Sequence, residues 1–535
     1  MNETWFVWLA TLSVVASCLV AERRLIHYFQ LESYQFPGYF RSVRRNLPGS
    51  CLPGLLLAAA ETALIALCGW FVYAGVMAGW LAGLIVLALS LAAAWGIRRV
   101  TAEKKAKKPL VFTLRIKRLY AVSAVVYALL GVLGRAVLGS VPVWIGLFPL
   151  LLPLWVAAAG LCAWPIEKLI SELYFRDAQR MLRQRPDLVK IGITGSYGKT
   201  SVKFILGTML SEKYQTLVTP SSFNTPMGVT KIIRTKLQPA HQVFVAEMGA
   251  RHVGDIREMC RLVHPSYGVL TSVGPQHLDT FHTLERIKST KYELMEAVPQ
   301  DGCCFFPDDG GICRELYDKT RKEKRLCSLH AGGAADVWAE HMTVSPAGSS
   351  FELCTREGSI PCETRLLGEH NIQNILLAAT VCLRLGLTLR QISRGIAKLE
   401  PVEHRLQLIP SSGVTIIDDA FNSNPRGAQA ALRVIREFPG RRIIITPGMV
   451  ELGGDETRFN HNFGVQMAGC VDVAILVGRR HTQPIREGLT EAGFPEKDVH
   501  TVGSLDEAAA LLGQLGRPGD VALFENDLPD NYSEQ

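Results

Sequence analysis

The sequence contains no pair of cysteines spaced C-x-x-C, although the chain of 535 residues has 13 cysteines. Cys303 and Cys304 are adjacent, which suits neither a zinc knuckle nor an ordinary disulfide. The missing spacing excludes a four-cysteine zinc ribbon. It predicts reduced cysteines that serve as small apolar side chains.

A large excess of either charge is also missing. Lysine and arginine number 57 against 49 aspartates and glutamates, which gives a formal net charge of +8. In the first third of the chain the basic residues cluster between apolar runs rather than forming one basic stripe. We therefore predict topology signals there and no nucleic-acid partner.

Long apolar runs dominate the first third of the chain, and the hydrophobic content is 48%. Each run approaches the roughly 20 residues that a membrane-spanning helix needs. The five runs lie near residues 4–21, 52–72, 75–96, 119–138 and 141–164. No basic residue precedes the first run and no clear small-residue cleavage site follows it, which favours a retained helix over a signal peptide.

Basic residues in two of the connections indicate how these helices are oriented. The first set is Arg23, Arg24, Arg41, Arg44 and Arg45, and the second is Arg98, Arg99, Lys104, Lys105, Lys107, Lys108, Arg115, Lys117 and Arg118. Positive loops stay cytoplasmic. Five spans then place the N-terminus outside a plasma membrane and the chain after residue 165 in the cytosol. Glu61 lies inside the second run, and a charged residue there predicts a function whose nature stays open.

The stretch ITGSYGKTSVK, residues 193–203, lies between an apolar strand and a predicted helix. Glycines at 195 and 198 let backbone N–H groups turn inward around phosphates, and the helix N-terminus adds its positive dipole. Lys199 can meet the β- and γ-phosphates of ATP, and Thr200 or Ser201 can offer a hydroxyl to Mg²⁺. The spacing is shorter than the general phosphate-loop pattern, so a plain glycine turn remains an alternative for this stretch alone.

Three further residues follow at positions that suit the same chemistry. Glu247 ends an apolar strand, where a carboxylate can bind a metal ion. His277 follows another strand, and Lys291 lies on a predicted helix. Taken singly, a surface histidine or a helix-capping glutamate would be the ordinary interpretation. Their order along the chain favours one site.

These motifs resemble those of the Mur ligase family, the ATP-dependent amide-forming ligases of peptidoglycan assembly. The likeness is closest to the branch that adds D-alanyl-D-alanine to a UDP-muramoyl-tripeptide, and it covers residues 188–525. It rests on T-G-x-x-G-K-T from Thr194 to Thr200, GEHNIQNILLAA from Gly368, EHRLQ around Arg405, and DDAFNSNP from Asp418. GMVELGG, with His461 following, adds to it.

The resemblance implies roles for residues along the whole region. It implies Lys199, Glu247, His277 and Lys291 as catalytic residues. It implies metal ligation by Thr200, Glu247, His277 and Lys291, the last as a carbamate formed with CO₂. The implied ATP-binding residues are Gly195, Ser196, Tyr197, Gly198, Lys199, Thr200, Ser201, Asn371, Asn374, Arg405, Asp418, Asp419 and Asn422.

The predicted fold class is an α-helical membrane domain followed by α/β domains. We expect a five-span domain over residues 1–164 and an amphipathic connector over 165–187. A P-loop Mur ligase central domain would span 188–398, and a Rossmann-like C-terminal domain would span 399–535. Alternating strands and helices near the C-terminus predict a parallel, doubly wound sheet.

Two departures from the family limit what the resemblance implies. Apolar runs stand where the family has its UDP-binding domain, and the acidic stretch FENDLPDNY, residues 524–532, replaces a basic K-G-S-R. This stretch favours a substrate amine rather than a carboxylate at that place.

The predicted function is a membrane-anchored ligase that joins a carboxylate of a cell-wall precursor to an amino-acid or dipeptide amine. The precursor would be a UDP-linked or lipid-linked muramoyl peptide, and membrane lipid would be a further partner. The alternatives are a polyglutamate-type ligase and a non-catalytic nucleotide-sensing scaffold.

Overall fold

The computed structural model describes residues 2–32, 34–101, 109–138, 143–220, 223–409, 413–421 and 423–528. The chain divides into two compact units, Met1–Glu172 and Leu173–Gln535. The first unit is helical, and the second contains two β-sheets.

The first unit consists of helices, the last of which continues past Glu172. They are α1 (Asn2–Ala21), α2 (Arg23–Leu31), α3 (Phe36–Arg45), α4 (Leu47–Tyr73), α5 (Gly79–Val100), α6 (Leu114–Leu138), α7 (Val143–Gly146), a 3₁₀ turn (Phe148–Leu151) and α8 (Leu152–Arg183). Among the described residues, five helices are long and apolar enough to cross a membrane. The five predicted runs therefore correspond to five helical segments.

The boundaries of the fifth run were predicted wrongly. The described residues of this run, 143–164, do not form a single helix, because α7 and the 3₁₀ turn precede α8. Pro153 lies in the first turn of α8, where a proline has no hydrogen bond to lose. The segment predicted as a connector continues this helix through Pro165 to Arg183, so no break separates the two.

Glu61 lies on α4 in the interior of the first unit and is fully buried. Its carboxylate oxygens accept hydrogen bonds from Ser17 at 2.6 Å and from Ser90 at 2.8 Å, and Ser13 lies at 3.2 Å. The serines belong to α1 and α5. Glu61 therefore joins three helices through hydroxyl groups that satisfy its buried oxygens.

The second unit begins with a nine-stranded sheet. Its strands are β1 (Val189–Thr194), β2 (Thr216–Val218), β3 (Val243–Glu247), β4 (Tyr267–Leu270), β5 (Cys303–Pro307), β6 (Lys324–Ser328), β7 (Val337–Ser345), β8 (Gly348–Thr355) and β9 (Gly358–Thr364). Their order is β2-β3-β1-β4-β5-β6-β7-β8-β9. The pairs from β2 to β7 are parallel, and the pairs β7–β8 and β8–β9 are antiparallel.

Helices cover both faces of this nine-stranded sheet. They are α9 (Lys199–Leu210), α10 (Pro226–Lys236), α11 (Asp255–Val263), α12 (Leu278–Phe281), α13 (Leu284–Ala297), α14 (Ile312–Lys319), α15 (Glu369–Arg384) and α16 (Leu389–Ala397). Apolar side chains of α9, α15 and α16 share one buried cluster, and those of α10, α11 and α13 share another. The central strands β1, β3, β4 and β5 are thus mostly buried on both faces, which explains their near-continuous apolar sequences.

A second sheet has six strands in the order β10-β11-β15-β12-β13-β14. The strands are β10 (Gln407–Ile409), β11 (Thr415–Asp419), β12 (Arg442–Thr446), β13 (Val473–Val477), β14 (Val499–Val502) and β15 (Val521–Glu525). Its helices are α17 (Pro425–Arg436), α18 (Glu456–Met467), α19 (Gln483–Glu491) and α20 (Leu505–Leu515).

The prediction of a parallel C-terminal sheet is correct for five strands and wrong for β10. This edge strand pairs antiparallel with β11, since only the short segment 410–414 connects them. Such a connection is too short for the crossover that parallel neighbours need. The predicted domain boundaries 188–398 and 399–535 stay a prediction.

Candidate active site

The phosphate-loop motif lies at the carboxyl edge of the nine-stranded sheet. It follows β1, which pairs with β3 on one side and β4 on the other. Glu247 is the last residue of β3, and His277 lies in the loop after β4. Three neighbouring strands therefore direct their ends to one edge, where ligands bind in open α/β sheets.

Hydrogen bonds fix the loop against the segment that follows β4. The amide of Ser196 donates to the Ser272 carbonyl at 2.8 Å, and its hydroxyl donates to the Gly274 carbonyl at 2.9 Å. The amide of Tyr197 donates to the Ser272 hydroxyl at 2.8 Å. The Tyr197 hydroxyl donates to the carbonyl of Pro275 at 2.5 Å. Tyr197 thus packs inward as part of the scaffold.

Two glycines are required by the path of this loop. Gly195 has φ +151°, and a Cβ atom there would lie 2.1 Å from the Thr271 hydroxyl oxygen. Gly198 has φ +77°, and a Cβ atom would lie 3.0 Å from the Asn374 amide oxygen. Backbone in the left-handed region and a crowded neighbour both favour glycine.

Lys199 begins α9 and turns back over the loop. Its ammonium donates to the carbonyls of Gly195 at 2.8 Å and Ser196 at 3.0 Å. Burial lowers its pKa to about 8, while Glu247 opposes this shift and Arg405 adds to it. Lys199 also interacts electrostatically with His277 and Lys291. The four predicted catalytic side chains are therefore close enough to influence one another.

Glu247 is almost completely buried, with a side-chain exposure of 1%. One of its oxygens accepts a hydrogen bond from the Lys203 ammonium at 3.0 Å, and the other accepts one from the Asn224 amide at 3.1 Å. Lys203 is 0% exposed. Burial opposes ionisation of Glu247, but the two lysines at 203 and 199 lower its pKa overall. The carboxylate is thus held ionised and in a fixed orientation.

His277 has φ +52° and precedes α12. Its Nδ1 atom lies 2.7 Å from Oε2 of Glu451, a residue in the loop after β12 of the second sheet. Burial lowers the pKa of His277, and Glu451 opposes this change. The Nε2 atom makes no hydrogen bond to any residue that the structure describes. A neutral imidazole with an available Nε2 suits metal ligation.

Lys291 lies on α13 and is 2% exposed. Its ammonium has no hydrogen-bond or ion-pair partner among the described residues. Burial lowers its pKa well below the usual range, the charge of Lys199 adds to this, and Asp255 and Glu247 oppose it. An uncharged lysine amine is the form that reacts with CO₂, so its surroundings suit the predicted carbamate.

The remaining predicted residues of the first sheet surround the same loop. Thr200 and Ser201 lie in the first turn of α9. Asn371 and Asn374 lie in the first two turns of α15, and the Asn374 amide donates to the Asn371 side-chain oxygen at 3.5 Å. The Asn371 amide is also bonded to the Leu367 carbonyl at 2.9 Å. Asn374 is therefore the member of this pair that faces Gly198.

Three predicted residues of the second sheet lie near its first parallel strand. The Arg405 guanidinium lies 4.6 Å from the centre of the exposed Phe421 ring and interacts electrostatically with Asp419 and Glu247. Asp418 is bonded to His404 at 2.7 Å. Arg405 thus links the second sheet to the Glu247 region.

Two further residues of the second sheet, Asn422 and His461, are not placed at this site by the structure. Asn422 lies outside the described residues. His461 pairs with Glu491 at 3.0 Å, on the helices α18 and α19. The structure gives it no contact with the residues around Lys199.

The acidic segment that replaces K-G-S-R begins at the end of β15, and its last residues, 529–532, lie outside the described part of the chain. Glu525 is 1% exposed and accepts hydrogen bonds from Ser423 and, at 2.8 Å, from Thr446. The Asn526 amide donates to the Gly448 carbonyl at 2.6 Å. Burial raises the pKa of Glu525 to about 7. Both carboxylate oxygens of Glu525 therefore accept hydrogen bonds from residues at the carboxyl edge of the second sheet.

The charged groups around Glu247 suit a metal ion that arrives with a phosphate better than they suit a lone cation. Within the described residues, no three His, Cys, Asp or Glu side chains lie close enough to hold a metal. The Glu247 carboxylate keeps lone pairs beyond its two hydrogen bonds, and the Thr200 hydroxyl and His277 Nε2 are suitable donors. The nearby lysines 199 and 203 would repel a lone cation, whereas a triphosphate offsets their charge.

Sequence reasoning missed Lys203, Asn224 and Glu451. Lys203 had a signal, because it lies four residues after Lys199 on a helix that is otherwise apolar on that face. Glu451 was visible in the GMVELGG motif, but its pairing with His277 joins residues 174 positions apart. Asn224 had no distinguishing pattern.

Comparison with known proteins agrees with this geometry. The Mur ligase middle domain profile matches residues 193–382, and the profile described as "Mur ligase, glutamate ligase domain" matches residues 404–525. The UDP-N-acetylmuramoyl-tripeptide–D-alanyl-D-alanine ligase of Mycobacterium tuberculosis is 32% identical over 362 residues, which are 63% of this chain and 70% of that protein. The ligase of the same name from Escherichia coli is 30% identical over 326 residues, 60% of this chain and 72% of that protein.

Solved structures give the same result. MurF from Acinetobacter baumannii superimposes with a TM-score of 0.61 at 25% identity, covering 68% of this chain and 78% of that one. MurF from Thermotoga maritima, solved with ADP, has a TM-score of 0.60 at 24% identity and shares the fold, covering 67% of this chain and 80% of that one. The chain therefore belongs to the Mur ligase family of ATP-dependent amide-forming ligases.

Proposed function

We propose that this enzyme joins a carboxylate of a muramoyl peptide to the amine of a dipeptide, D-alanyl-D-alanine, at the expense of ATP. The relatives that cover the two sheet-containing domains carry this activity in their names. The observation that carries the proposal is that Glu247 and His277 follow the two strands beside β1, whose own end carries the phosphate-loop motif with Lys199. The electrostatic interactions of Lys199 with Glu247, His277 and Lys291 support it.

The residues suit a two-step reaction. The acceptor carboxylate attacks the γ-phosphorus of ATP, which gives an acyl phosphate and ADP. The dipeptide amine then attacks the acyl carbon, and phosphate leaves as the amide forms. Lys199 and the backbone N–H groups of the loop offset charge on the transferring phosphoryl group.

The proposed metal ligands are Thr200, Glu247, His277 and Lys291 as a carbamate. Mg²⁺ held by these residues would neutralise charge on the phosphate groups of ATP. Lys203 keeps Glu247 ionised for this role. The buried, uncharged Lys291 would become an anionic oxygen donor after reaction with CO₂, and this would add a ligand suited to a hard metal ion.

The proposed ATP-binding residues come from both sheets. They are Gly195, Ser196, Tyr197, Gly198, Lys199, Thr200, Ser201, Asn371, Asn374, Arg405, Asp418, Asp419 and Asn422. Loop amides would bind the phosphates, and Arg405 would bring the second sheet to the nucleotide.

We also propose that the first unit anchors the ligase in the plasma membrane with its catalytic domains in the cytosol. Five helices of sufficient length and the basic connections between them support this assignment. Protease protection in sealed vesicles tests it. In right-way-out spheroplasts, external protease should cleave a tag at the N-terminus, because the proposed topology places it outside. A tag that resists cleavage would place the N-terminus in the cytosol and contradict the proposal.

A membrane anchor gives access to precursors that are themselves lipid-linked. We therefore propose that the acceptor includes a lipid-linked muramoyl peptide as well as the UDP-linked form. Turnover of the two forms by the purified full chain, compared by product mass, tests this idea. Exclusive use of the soluble form would remove the lipid-linked acceptor from the proposal.

The same assay tests the function as a whole. Full-length protein with ATP, Mg²⁺, UDP-muramoyl-tripeptide and D-alanyl-D-alanine should yield the amide product and ADP, and Lys199→Ala should abolish both. ATP consumption that ignores every added precursor would instead support the nucleotide-sensing alternative. Products extended by glutamate would support the polyglutamate-type alternative.

A further inference from the structure

The loop after β12 meets the loop after β4 through one side-chain pair. Oε2 of Glu451 lies 2.7 Å from Nδ1 of His277, and the two side chains are 17% and 14% exposed. A second contact joins the other Glu451 oxygen to Arg251 at 3.8 Å. One carboxylate from the second sheet therefore contacts two residues that follow strands of the first.

The conformation of Glu451 indicates that its placement is enforced. It has φ +64°, a region that non-glycine residues adopt rarely. Its neighbours Met449, Val450 and Leu452 are all buried. Asn460 holds this loop from α18, because its side chain exchanges hydrogen bonds with the amide and carbonyl of Met449, both at 2.8 Å. Strained backbone that is held by its surroundings is common at functional sites.

The contact decides which nitrogen of His277 is available. A neutral imidazole carries one N–H, and a carboxylate only accepts hydrogen bonds, so Nδ1 must be the donor toward Glu451. The lone pair then lies on Nε2, which makes no hydrogen bond to the described part of the chain. This is the arrangement in which a carboxylate fixes the tautomer and the ring orientation of a metal-binding histidine.

We propose that Glu451 is a positioning residue for His277, so that a residue of the second sheet completes the metal site of the first. The inference rests on the proposed role of His277 as a metal ligand. It goes further by making metal affinity depend on contact between the two loops. ATP and metal would then be held fully only when the sheets are together.

The chain offers a matched control for this contact. Glu456 accepts from Nδ1 of His481 at the same distance, 2.7 Å, and is also only partly exposed. Both members of that pair belong to the second sheet and its helices. Glu456→Ala therefore removes an equivalent Glu–His pair without changing the loop after β4.

The test is a Mn²⁺ titration of the purified full chain with ADP present, followed by electron paramagnetic resonance. Loss of a carboxylate behind a metal-binding histidine typically weakens binding about 10- to 100-fold, so we expect this for Glu451→Ala. Glu451→Gln keeps an acceptor oxygen in a side chain of the same shape and should lose less Mn²⁺ affinity than Glu451→Ala. Glu456→Ala should bind Mn²⁺ like the unaltered protein. Hydrogen exchange in β12 of each variant checks that the second sheet is folded.

His277→Ala tests the metal-ligand role of His277 separately from the positioning role of Glu451. Weaker Mn²⁺ binding in both His277→Ala and Glu451→Ala, with Glu456→Ala unaffected, supports the positioning role. Weaker binding in His277→Ala alone overturns it and leaves the proposed metal ligand intact. Equal losses in Glu451→Ala and Glu456→Ala overturn it too, because the effect would then be general. Unchanged binding in His277→Ala overturns both the ligand assignment and the inference.

Discussion

Replacing Lys203 by methionine should destabilise the nine-stranded sheet strongly, although the two side chains have similar length. The change removes the cation that pairs with Glu247 at 3.0 Å in a site where the two side chains are 0% and 1% exposed. Removing one member of a buried ion pair costs about 3–5 kcal/mol, since the remaining charge is left without a partner. The Asn224 hydrogen bond to Glu247 would remain.

Hydrogen exchange of β1 and β3 amides in the full chain measures this loss directly, because these buried strands open only on extensive unfolding. A cost of about 3–5 kcal/mol lowers their protection by about two to three and a half orders of magnitude. Lys203→Met combined with Glu247→Leu replaces the whole pair with apolar groups. Such replacements are often neutral or stabilising, so the double variant should recover most of the protection apart from about 1 kcal/mol for the amide of Asn224.

The control is an exposed pair of similar length. Arg365 and Glu400 lie 2.8 Å apart with side chains 72% and 67% exposed. Arg365→Met should cost about 0–1 kcal/mol. The reasoning is refuted if Lys203→Met loses no more protection than Arg365→Met, or if the double variant is less stable than Lys203→Met alone.

Two further predictions concern a crowded glycine and a partly buried histidine. Gly195→Ala should abolish ATP binding, measured by calorimetry, because its Cβ would lie 2.1 Å from Thr271, whereas Gly333→Ala, at φ +67° with open space around it, should bind ATP normally. Burial lowers the pKa of His370 to about 4, and the charge of Arg433 contributes to this shift. Between pH 6.5 and pH 4 the imidazole is therefore protonated in the unfolded chain but not in the folded chain. The contribution of His370 to the free energy of unfolding should be fully present above pH 6.5 and should fall by at most about 3 kcal/mol toward pH 4. His370→Gln should flatten this fall in urea midpoints, and an unchanged slope would contradict the assignment.

Strand ends and the phosphate loop could be predicted because they depend on local sequence. The apolar segments before Gly195 and Glu247 are short and continuous, as in strands buried on both faces. Parallel neighbours bring their carboxyl ends to one edge, which is why residues 195, 247 and 277 were expected together. The five apolar helices were recognised for a similar reason, since length and composition are local properties.

What was missed depends on contacts that are distant in sequence. The Lys203 partner of Glu247 and the Glu451 partner of His277 each join separate motifs. The antiparallel strands β8, β9 and β10 were missed because their alternating, partly polar sequences gave a weak pattern. The start of α8 shifted because Pro153 suits the first turn of a helix better than the interior of a span.

The central claim is that this site activates a carboxylate by phosphorylation, and transfer of an oxygen isotope tests it most directly. The full chain would be given ATP, D-alanyl-D-alanine and a UDP-muramoyl-tripeptide whose terminal carboxylate carries ¹⁸O at both oxygens. Attack of that carboxylate on ATP predicts one ¹⁸O atom in each released phosphate and none after Lys199→Ala. Phosphate released without ¹⁸O, while amide product forms, would contradict the account.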